Sequence, residues 1–521
     1  MTVIKQGQSA DIGLLLEGTY PYVSGGVSSW VNQIIKGFPE YTFALCFIGS
    51  RPEDYGDMRY ELPDNVVHLE VHYLHESHSK PPVIKRKGNP KVFKEIRCLH
   101  DTYRQPERLH EQESSLLKSI MQHRSEGRYA EEDFLYSRES WDYITEQYRE
   151  HCTDPSFVDY FWTIRIMHAP IWRLMALTET FIPVKVFHTI STGYAGFLGA
   201  LMKQKTGKPL ILSEHGIYTK ERKIDLFQAQ WIRDNRGTLA KDSSEIAYFK
   251  NLWIRFFEAL GRDCYHHADR IIALYETNRL RQVKDGAPAE RTENIPNGIN
   301  LPHLEKLRAL RSDDIPLTIC LIGRVVPIKD IKTFIRAMRT VVNQLPQAQA
   351  WIAGPEDEDP DYAADCHSLA EGLGLTEHVK FLGFQRIDEL LPKVGLLVLS
   401  SISEALPLVI LEAYAAGVPC VSTDVGSCRQ LVEGLGAIDK SIGASGMIVG
   451  IANPTELAQA IISLLGNPER WRAAQTAGIT RVERYYTQEQ MFGRYRSVYE
   501  ECLNKSDALA ATPTSCPRGK H

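Results

Sequence analysis

Short apolar runs alternate with segments of helical periodicity along most of this chain, and the alternation occurs twice. The first series opens with DIGLLLEG, a glycine-rich turn, the helical stretch VSSWVNQIIKGF and the run YTFALCFIGS. The second series opens with PLTICLIG and continues through AQAWIAG, HVKFLGF, GLLVLSS and VPCVSTDVG. The order of strand, turn, helix and strand is typical of doubly wound α/β domains. The sequence therefore predicts an α/β protein with two Rossmann-like domains that face each other across a cleft.

The predicted domain limits follow from where this pattern breaks. From about residue 75 to 159 the chain is rich in charged residues, histidine, tyrosine and glutamine, which predicts a mostly helical insertion in the N-terminal half. The turn formers of IPNGIN indicate a junction near residue 300. The predicted segments are an N-terminal domain over 1–300, a C-terminal domain over 301–480, a helix over 481–505 that packs back on the N-terminal domain, and a disordered tail over 506–521.

The composition argues against several classes of protein. A net charge of −5 does not favour an electrostatic hold on nucleic acid. No run of about 20 apolar residues occurs, so no direct insertion into a membrane is expected, and the N-terminus does not resemble a signal peptide. The ten cysteines form no CxxC pair, which argues against a zinc site and favours reduced core cysteines of a cytosolic protein.

The loop that follows the first strand of the second series, LIGRVVPIKD, carries two cations beside a glycine. Ligands of open α/β sheets lie beyond the carboxyl ends of the strands. Gly323, Arg324 and Lys329 therefore suit a phosphate or diphosphate, although a basic pair on an exposed loop is an equally good interpretation. Further along, Asp357 and Asp359 form a D-x-D pattern whose surroundings are more typical of a solvated acidic loop than of a metal site.

The stretch SISEALPLVILEAYAAG holds two glutamates among apolar or small residues. Glu404 precedes the predicted helix, and Glu412 lies about one and a half turns inside it. An unpaired buried carboxylate is costly, so the two side chains either face solvent or contact a polar ligand. A carboxylate can accept hydrogen bonds from both hydroxyls of a vicinal diol, such as that of a ribose or a hexose. The pattern alone leaves both interpretations open.

Four segments in this order, IPNGIN, GRVVPIKD, AGPE and SEALPLVILEAYAAGVPCVSTDVG, resemble the motifs of the retaining GT-B glycosyltransferases of family 4. The pair of glutamates eight positions apart, Glu404 and Glu412, is the signature of that family. The resemblance is clear over about residues 296–450 and looser over the N-terminal half. Within the family, the N-terminal opening and the helical insertion are most similar to the glycosyltransferases of Pel exopolysaccharide biosynthesis. The resemblance implies the GT-B fold.

The resemblance also assigns roles to matching positions of the C-terminal half. It implies that Arg324 and Lys329 neutralise the diphosphate of the donor. It implies that Glu412 binds the ribose hydroxyls and that Glu404 contacts the hydroxyls of the transferred sugar. The residues implied to bind the nucleotide-sugar are Gly25, Gly26, Gly323, Arg324, Lys329, Glu404, Ala405, Leu406, Pro407, Leu408 and Glu412.

In the N-terminal half, Gly25 and Gly26 match a glycine-rich loop that approaches the phosphates or the acceptor. His215, at the end of LILSEHG, matches a histidine near the reactive centre, and His188 on the neighbouring strand is its rival. Either histidine by itself would be interpreted as a hydrogen-bonded structural residue. The residues implied to be catalytic are Glu404, His215, Lys329 and Arg324.

The implied reaction is the transfer of a hexosyl unit from a UDP-sugar, with UDP-glucose favoured, to a growing bacterial exopolysaccharide with retention. It is expected to need neither metal nor cofactor, and the sequence offers no convincing carboxylate nucleophile in the N-terminal half. The implied partners are the polysaccharide acceptor and inner-membrane Pel assembly proteins. The implied location is the cytoplasm, either free or at the inner membrane through a partner protein.

Two other classes of protein stay open. One is a non-catalytic protein that binds a sugar nucleotide or a polysaccharide. The other is a sugar-nucleotide epimerase of similar fold, which would not need the pair of glutamates. A dinucleotide-dependent dehydrogenase is disfavoured because no G-x-G-x-x-G follows the first strand of either half.

Overall fold

The computed structural model describes residues 2–75, 86–104, 110–152, 156–228 and 248–511. Within them the chain forms two compact units, each built around its own β-sheet. The first unit comprises Met1–Ala273, Arg279–Glu293 and Arg496–His521, and the second comprises Leu274–Asn278 and Asn294–Tyr495. The chain thus passes into the second unit at Asn294, close to the junction predicted near residue 300, and returns to the first unit at Arg496.

The sheet of the first unit has eight strands in the described residues, in the order β1-β4-β3-β2-β5-β6-β7-β8. Strands β2 to β7 pair in parallel, whereas β1 pairs with β4 in the antiparallel direction. The central strands are nearly all apolar because parallel sheets are covered on both faces. The strands are β1 Thr2–Lys5, β2 Ala10–Glu17, β3 Phe43–Gly49, β4 Val66–Tyr73, β5 Val184–Thr189, β6 Leu210–Glu214, β7 Arg270–Ala273 and β8 Thr292–Asn294.

Helices pack against this sheet, and five of those described follow one another between β4 and β5. This run of helices continues to Thr180, which is beyond the predicted end of the insertion at residue 159. The helices of this part of the chain are α1 Gly26–Gly37, α2 Pro90–Arg104, α3 His110–Ser125, α4 Glu131–Tyr136, α5 Arg138–His151, α6 Phe157–Thr180, α7 Tyr194–Thr206, α8 Tyr218–Gln228, α9 Tyr248–His267 and α10 Glu276–Lys284.

The sheet of the second unit has six parallel strands in the order β11-β10-β9-β12-β13-β14. Its first strand, β9, therefore lies next to β12, and the strand order reverses between them. The strands are β9 Thr318–Ile322, β10 Gln349–Ala353, β11 Val379–Gly383, β12 Leu396–Leu399, β13 Cys420–Thr423 and β14 Gly446–Val449.

The helices of the second half alternate with these strands and bury their apolar faces against them, as expected for a doubly wound domain. They are α11 Leu301–Leu304, α12 Ile331–Gln344, α13 Pro360–Gly372, α14 Ile387–Leu390, α15 Leu408–Ala415, α16 Cys428–Glu433, α17 Gly436–Lys440, α18 Pro454–Leu465, α19 Pro468–Tyr485 and α20 Gln488–Ala511. In the part of the chain that the structure describes, no helix combines the length and apolar character needed to cross a membrane.

The last helix, α20, differs from the prediction at both ends. It begins at Gln488, and its residues from Arg496 onward belong to the first unit. There the hydroxyl of Tyr499 is hydrogen-bonded to His188 Nδ1 at 2.8 Å. The prediction of a disordered tail from residue 506 is wrong for 506–511, which are helical, and residues 512–521 lie outside the described part of the chain.

Candidate functional site

The carboxyl ends of β9 and β12 lie side by side, and each leads into a loop that carries predicted site residues. From β9 the chain proceeds to β10 and β11 on one side, whereas β12, β13 and β14 lie on the other. Loops that leave such a reversal point diverge and open a crevice, which is where open α/β sheets bind ligands. The loop after β9 spans residues 323–330, and the loop after β12 spans residues 400–407.

Lys329 and Glu404 join these two loops through an ion pair. Lys329 Nζ donates to Glu404 Oε1 at 2.6 Å, and Ser401 Oγ donates to the same oxygen at 2.7 Å. The backbone joins the loops as well, because the N–H of Ile402 donates to the carbonyl of Ile328 at 2.8 Å. The two charged side chains are 21% and 15% exposed. The structure thus places a cation and a carboxylate, both predicted site residues, in contact at the reversal point.

Arg324, predicted to bind a phosphate, forms an ion pair with a carboxylate of the protein in this structure. Its Nη1 donates to both carboxylate oxygens of Glu358 at 2.6 and 2.5 Å. Because both side chains are about half exposed, this ion pair contributes little to stability, and an anionic ligand can compete for the guanidinium. In the D-x-D stretch, Asp357 is exposed, whereas Asp359 caps α13 by accepting from the N–H of Tyr362 at 3.0 Å.

Two glycines allow close packing of the backbone around these loops. A Cβ at Gly354 would lie 1.9 Å from the carbonyl oxygen of Gly323, so β9 and β10 could not end as they do with larger residues. Gly426 has a φ of +53°, and a Cβ there would lie 2.2 Å from the carbonyl oxygen of Glu404 and 2.5 Å from that of Ala405. The segment after β13 therefore supports the loop that presents Glu404.

Glu412 lies on α15, whose N-terminal turn follows directly from the loop of Glu404. Pro407 is the N-cap residue, and the first N–H groups of a helix, here those of Leu408 and Val409, lack intrahelical acceptors and favour anions. Burial raises the pKa of Glu412 to about 7. Among the described residues its carboxylate has no hydrogen-bond or ion-pair partner. A desolvated, unpartnered carboxylate one turn into the helix that follows the Glu404 loop is typical of a ligand site.

The raised pKa predicts that Glu412 reduces the stability of the fold at alkaline pH. In the unfolded chain the carboxyl ionises near its usual pKa of 4.5, whereas in the folded chain it keeps its proton up to about pH 7. The folded state is therefore penalised increasingly from pH 4.5 to 7 and fully above that. We expect Glu412→Gln to raise the free energy of unfolding by about 2 kcal/mol at pH 8 and to change it little at pH 4.5.

Urea denaturation at the two pH values measures this difference. Glu371→Gln, at an exposed carboxylate of α13 in the same unit, is the matched control and should show no such dependence. Equal effects of Glu412→Gln at both pH values would contradict the buried, ionisable position of this side chain.

The predicted histidine His215 lines a cavity of about 870 Å³ in the first unit, together with Glu17, Gly18 and Val27. It is 8% exposed, its ring lies edge-on to that of Trp30 with a centroid distance of 4.6 Å, and burial lowers its pKa to about 4. Its Nε2 is buried without a hydrogen-bond partner among the described residues. At neutral pH His215 is therefore an uncharged imidazole in the cavity wall, and its Nε2 makes no hydrogen bond with the described residues.

The rival histidine, His188, has both ring nitrogens occupied. Its Nδ1 is hydrogen-bonded to the hydroxyl of Tyr499 and its Nε2 to that of Ser213, both at 2.8 Å. The ring is fully buried, and His188 is not among the residues that line the cavity. The geometry therefore favours His215 over His188 for contact with a ligand.

The glycine-rich turn before α1 leaves free space around its backbone. A Cβ at Gly25 or Gly26 would meet no other atom within 4 Å. Neither glycine lines the cavity, although the next residue, Val27, does. The structure thus places the turn at the margin of the cavity that contains His215.

A carboxylate that the sequence did not single out, Glu17, also lines this cavity. It accepts from the hydroxyl of Tyr218 at 2.9 Å and from the N–H of Ala195 at 3.1 Å, and Arg222 Nη2 donates to the same tyrosine hydroxyl at 3.1 Å. Burial raises the pKa of Glu17. The expectation that the N-terminal half offers no convincing carboxylate nucleophile stays a prediction, but this half does contribute a buried carboxylate to the cavity wall. The sequence did contain a signal for Glu17, because this residue ends β2 and directly precedes the glycine-rich turn. Glu404 likewise lies in the loop that follows a strand, β12.

A smaller cavity of about 390 Å³ lies among α2, α3, α6 and α9. Its wall is mostly apolar and contains none of the predicted site residues. Apolar walls do not suit a diphosphate, so this cavity is not the candidate site for a nucleotide.

The two largely parallel sheets define a doubly wound type of α/β protein, and comparison with known proteins specifies the family. Residues 10–290 match the family model of a domain of unknown function, DUF3492, and residues 304–481 match that of the glycosyl transferases group 1. Because the first match spans more than half of the chain, the protein belongs to the DUF3492 family. Most of its second unit matches the glycosyl transferases group 1 model.

One curated relative is D-inositol 3-phosphate glycosyltransferase 2 of Catenulispora acidiphila, which is 27% identical over 292 residues. The match covers 53% of this chain and 61% of that protein, so the chain spans less than two thirds of the relative's length.

Two solved structures are similar over nearly the whole chain. HepE of Anabaena, crystallised with UDP, is 15% identical with a TM-score of 0.54 and covers 94% of this chain and 100% of its own. Sucrose-phosphate synthase of Thermosynechococcus elongatus is also 15% identical with a TM-score of 0.54, covering 96% and 100%. These likenesses confirm the predicted GT-B fold with two α/β domains.

Proposed function

We propose that this protein is a retaining hexosyltransferase that moves a hexosyl unit from a UDP-sugar to a growing bacterial exopolysaccharide. UDP-glucose is the favoured donor and Pel the favoured product, because the sequence resembles the glycosyltransferases of Pel exopolysaccharide biosynthesis. The observation that carries the proposal is the unpartnered carboxylate of Glu412 on the helix that follows the loop of the Lys329–Glu404 pair, at the strand reversal of a region that matches the glycosyl transferases group 1 model. The presence of UDP in the similar structure of HepE supports a uridine nucleotide.

The proposed donor site uses each charged side chain for one part of the nucleotide-sugar. Departure of UDP builds negative charge on the β-phosphate, which Lys329, Arg324 and the N-terminus of α15 stabilise without a metal. When the donor binds, the ammonium group of Lys329 leaves Glu404 and contacts the phosphate. A carboxylate oxygen of Glu404 is then free to accept hydrogen bonds from the hydroxyls of the sugar. Glu412 accepts hydrogen bonds from the ribose hydroxyls, and these bonds replace those that its carboxylate loses to water when it is buried.

The proposed acceptor side lies in the cavity of the first unit. Neutral His215 offers a hydrogen bond to a sugar hydroxyl, because its pKa of about 4 keeps it uncharged. Both carboxylate oxygens of Glu17 already accept hydrogen bonds, which suits a positioning role better than that of a nucleophile. The departing phosphate then takes the proton of the acceptor hydroxyl on the same face of the sugar, and this gives retention.

The proposed setting is the cytoplasmic side of the inner membrane, where Pel assembly proteins are the partners. Large apolar side chains on α5 and α6 support a docking role for this helical segment, since Trp141, Val158 and Trp162 are 47%, 62% and 55% exposed. Membrane association that persists in cells lacking the Pel membrane proteins would contradict this part of the proposal.

Calorimetric titration without added metal tests the donor site. We expect micromolar binding of UDP and UDP-sugars, weaker binding of ADP and GDP, and at least a tenfold loss of affinity in Glu412→Ala. Glu371→Ala, at an exposed glutamate of the same unit, should bind as the unchanged chain does. UDP-glucose is compared with UDP-galactose and the two UDP-N-acetylhexosamines to identify the sugar.

The outcomes separate the alternatives. Binding of UDP-sugars with release of UDP when acceptor is added supports the transferase. Binding without turnover favours a non-catalytic binding protein, and conversion of one UDP-sugar into another without release of UDP favours an epimerase. A folded chain that binds none of these nucleotides would overturn the proposed donor site.

A further inference from the structure

Three side chains with metal-binding atoms meet on one face of the first sheet. Cys46 of β3 lies directly opposite Glu70 of β4 in the parallel register, and His72 lies two residues further along β4, on the same face. The sulfur of Cys46, a carboxylate oxygen of Glu70 and a ring nitrogen of His72 all lie within 4.8 Å of one another. None of these residues belongs to the proposed donor or acceptor site.

The cluster is buried and its polar atoms are not satisfied. Cys46 and Glu70 are 0% and 1% exposed, and the side chain of His72 is 11% exposed. His72 Nε2 and Glu70 Oε1 are 3.1 Å apart, yet their alignment makes no hydrogen bond, and neither atom has a hydrogen-bond partner among the described residues. A buried carboxylate that accepts no hydrogen bond from the described residues is costly, and a bound cation would lower that cost without requiring hydrogen-bond alignment.

A second histidine faces the carboxylate from the other side. The N–H of Gly7 donates to Nδ1 of His68 at 3.3 Å, which assigns the ring proton to Nε2. That nitrogen lies 3.5 Å from Glu70 Oε2, so His68 faces the oxygen that points away from His72. The two atoms make no hydrogen bond in this structure, but a polar group at this position is the usual kind of support of a metal ligand.

We infer that Cys46, Glu70 and His72 bind one divalent cation of the zinc type. A thiolate, an imidazole and a carboxylate are the ligands that Zn²⁺ takes, whereas Mg²⁺ and Ca²⁺ prefer oxygen alone. The ion joins β3 to β4 and leaves one coordination position for water. The absence of a CxxC pair argued against a zinc site, but these ligands come from two strands that are neighbours in the sheet, with Cys46 and Glu70 24 positions apart in the chain.

Titration of the untagged, metal-stripped full chain with Co²⁺ tests the site. We expect uptake of one Co²⁺ per chain with an absorption band from thiolate-to-cobalt charge transfer, and loss of that band on addition of Zn²⁺. Cys46→Ser should abolish the band. Cys320→Ser, at an equally buried cysteine of a central strand in the second unit, should retain it.

His72→Gln provides a second variant that is expected to fold, because this side chain reaches the edge of the buried region. Its affinity for Co²⁺, measured by equilibrium dialysis, should fall at least tenfold while its circular dichroism stays unchanged. An unchanged chain that takes up no Co²⁺ or Zn²⁺, or a charge-transfer band that persists in Cys46→Ser, would overturn the site. Because the readout is metal binding, neither result depends on the proposed transferase activity.

Discussion

Replacing Lys329 by alanine is expected to lower the rate of glycosyl transfer by about 10²–10³-fold, the usual effect of removing one fixed donor to a developing oxyanion. In the proposed reaction the negative charge grows on the β-phosphate of the departing UDP. Lys329 lies in the loop after β9, and Ser401 and Glu404 hold the facing loop in register with it. A cation fixed before the reaction stabilises the charge without the reorganisation that water would need.

The measurement is kcat for transfer from the donor that calorimetry identifies. Lys332→Ala is the matched control, because Lys332 lies three residues further on and forms an exposed ion pair with Asp365 at 2.7 Å. It should retain activity within about twofold, since exposed ion pairs contribute little. The urea midpoint of Lys329→Ala separates lost catalysis from lost folding. A folded Lys329→Ala with unchanged kcat would remove Lys329 from the proposed mechanism.

Replacing Asp439 by alanine is expected to reduce the stability of the second unit by about 3–5 kcal/mol, the cost of breaking a buried ion pair by removing one partner. Arg481 on α19 is 0% exposed, and its Nε donates to Asp439 Oδ1 at 2.7 Å. Its remaining nitrogens donate to the carbonyls of Val432 at 3.0 Å and Gly443 at 2.8 Å. Without the carboxylate, the guanidinium charge stays buried and uncompensated.

Asp424→Ala provides the matched comparison in the same unit. Asp424 pairs with Arg429 at 2.6 Å, but both side chains are about half exposed. Its loss should cost less than about 1 kcal/mol. Urea denaturation of the full chain, followed by a probe in the second unit, measures both variants. If Asp439→Ala lowers the free energy of unfolding no more than Asp424→Ala does, the expected penalty for leaving Arg481 buried and unpaired is absent.

Local sequence patterns predicted many of the strands and helices correctly. The runs TICLI and LLVL form β9 and β12. A short run that is apolar throughout is typical of a strand in a parallel sheet, because such a sheet is covered on both faces. The helix α7 ends at Thr206 because Gly207, which follows it, adopts a left-handed φ of +72°, as glycine does after many helices. The position of Lys329 and Glu404 at strand ends also followed from the sequence, because in open sheets these ends carry the ligand loops.

The strand β4 was not predicted from the sequence pattern, and the reason is physical. β4 alternates His68, Glu70 and His72 with apolar residues, and polar side chains on one face usually indicate a solvated edge. In the structure that polar face is buried. Burial on the polar side depends on what packs over it, which the local pattern does not contain.

The sequence by itself determined the order of strands and helices, the two α/β domains and the loops that carry the candidate donor residues. These features depend on periodicity and on chain order, which are local. The tertiary structure alone decided the pairing of Arg324 with Glu358, the contacts of Glu17 with Tyr218, and the meeting of Cys46 with Glu70. Each of those contacts joins residues that are distant in the chain and adjacent in space, because sheet order and packing, rather than local pattern, set which side chains meet.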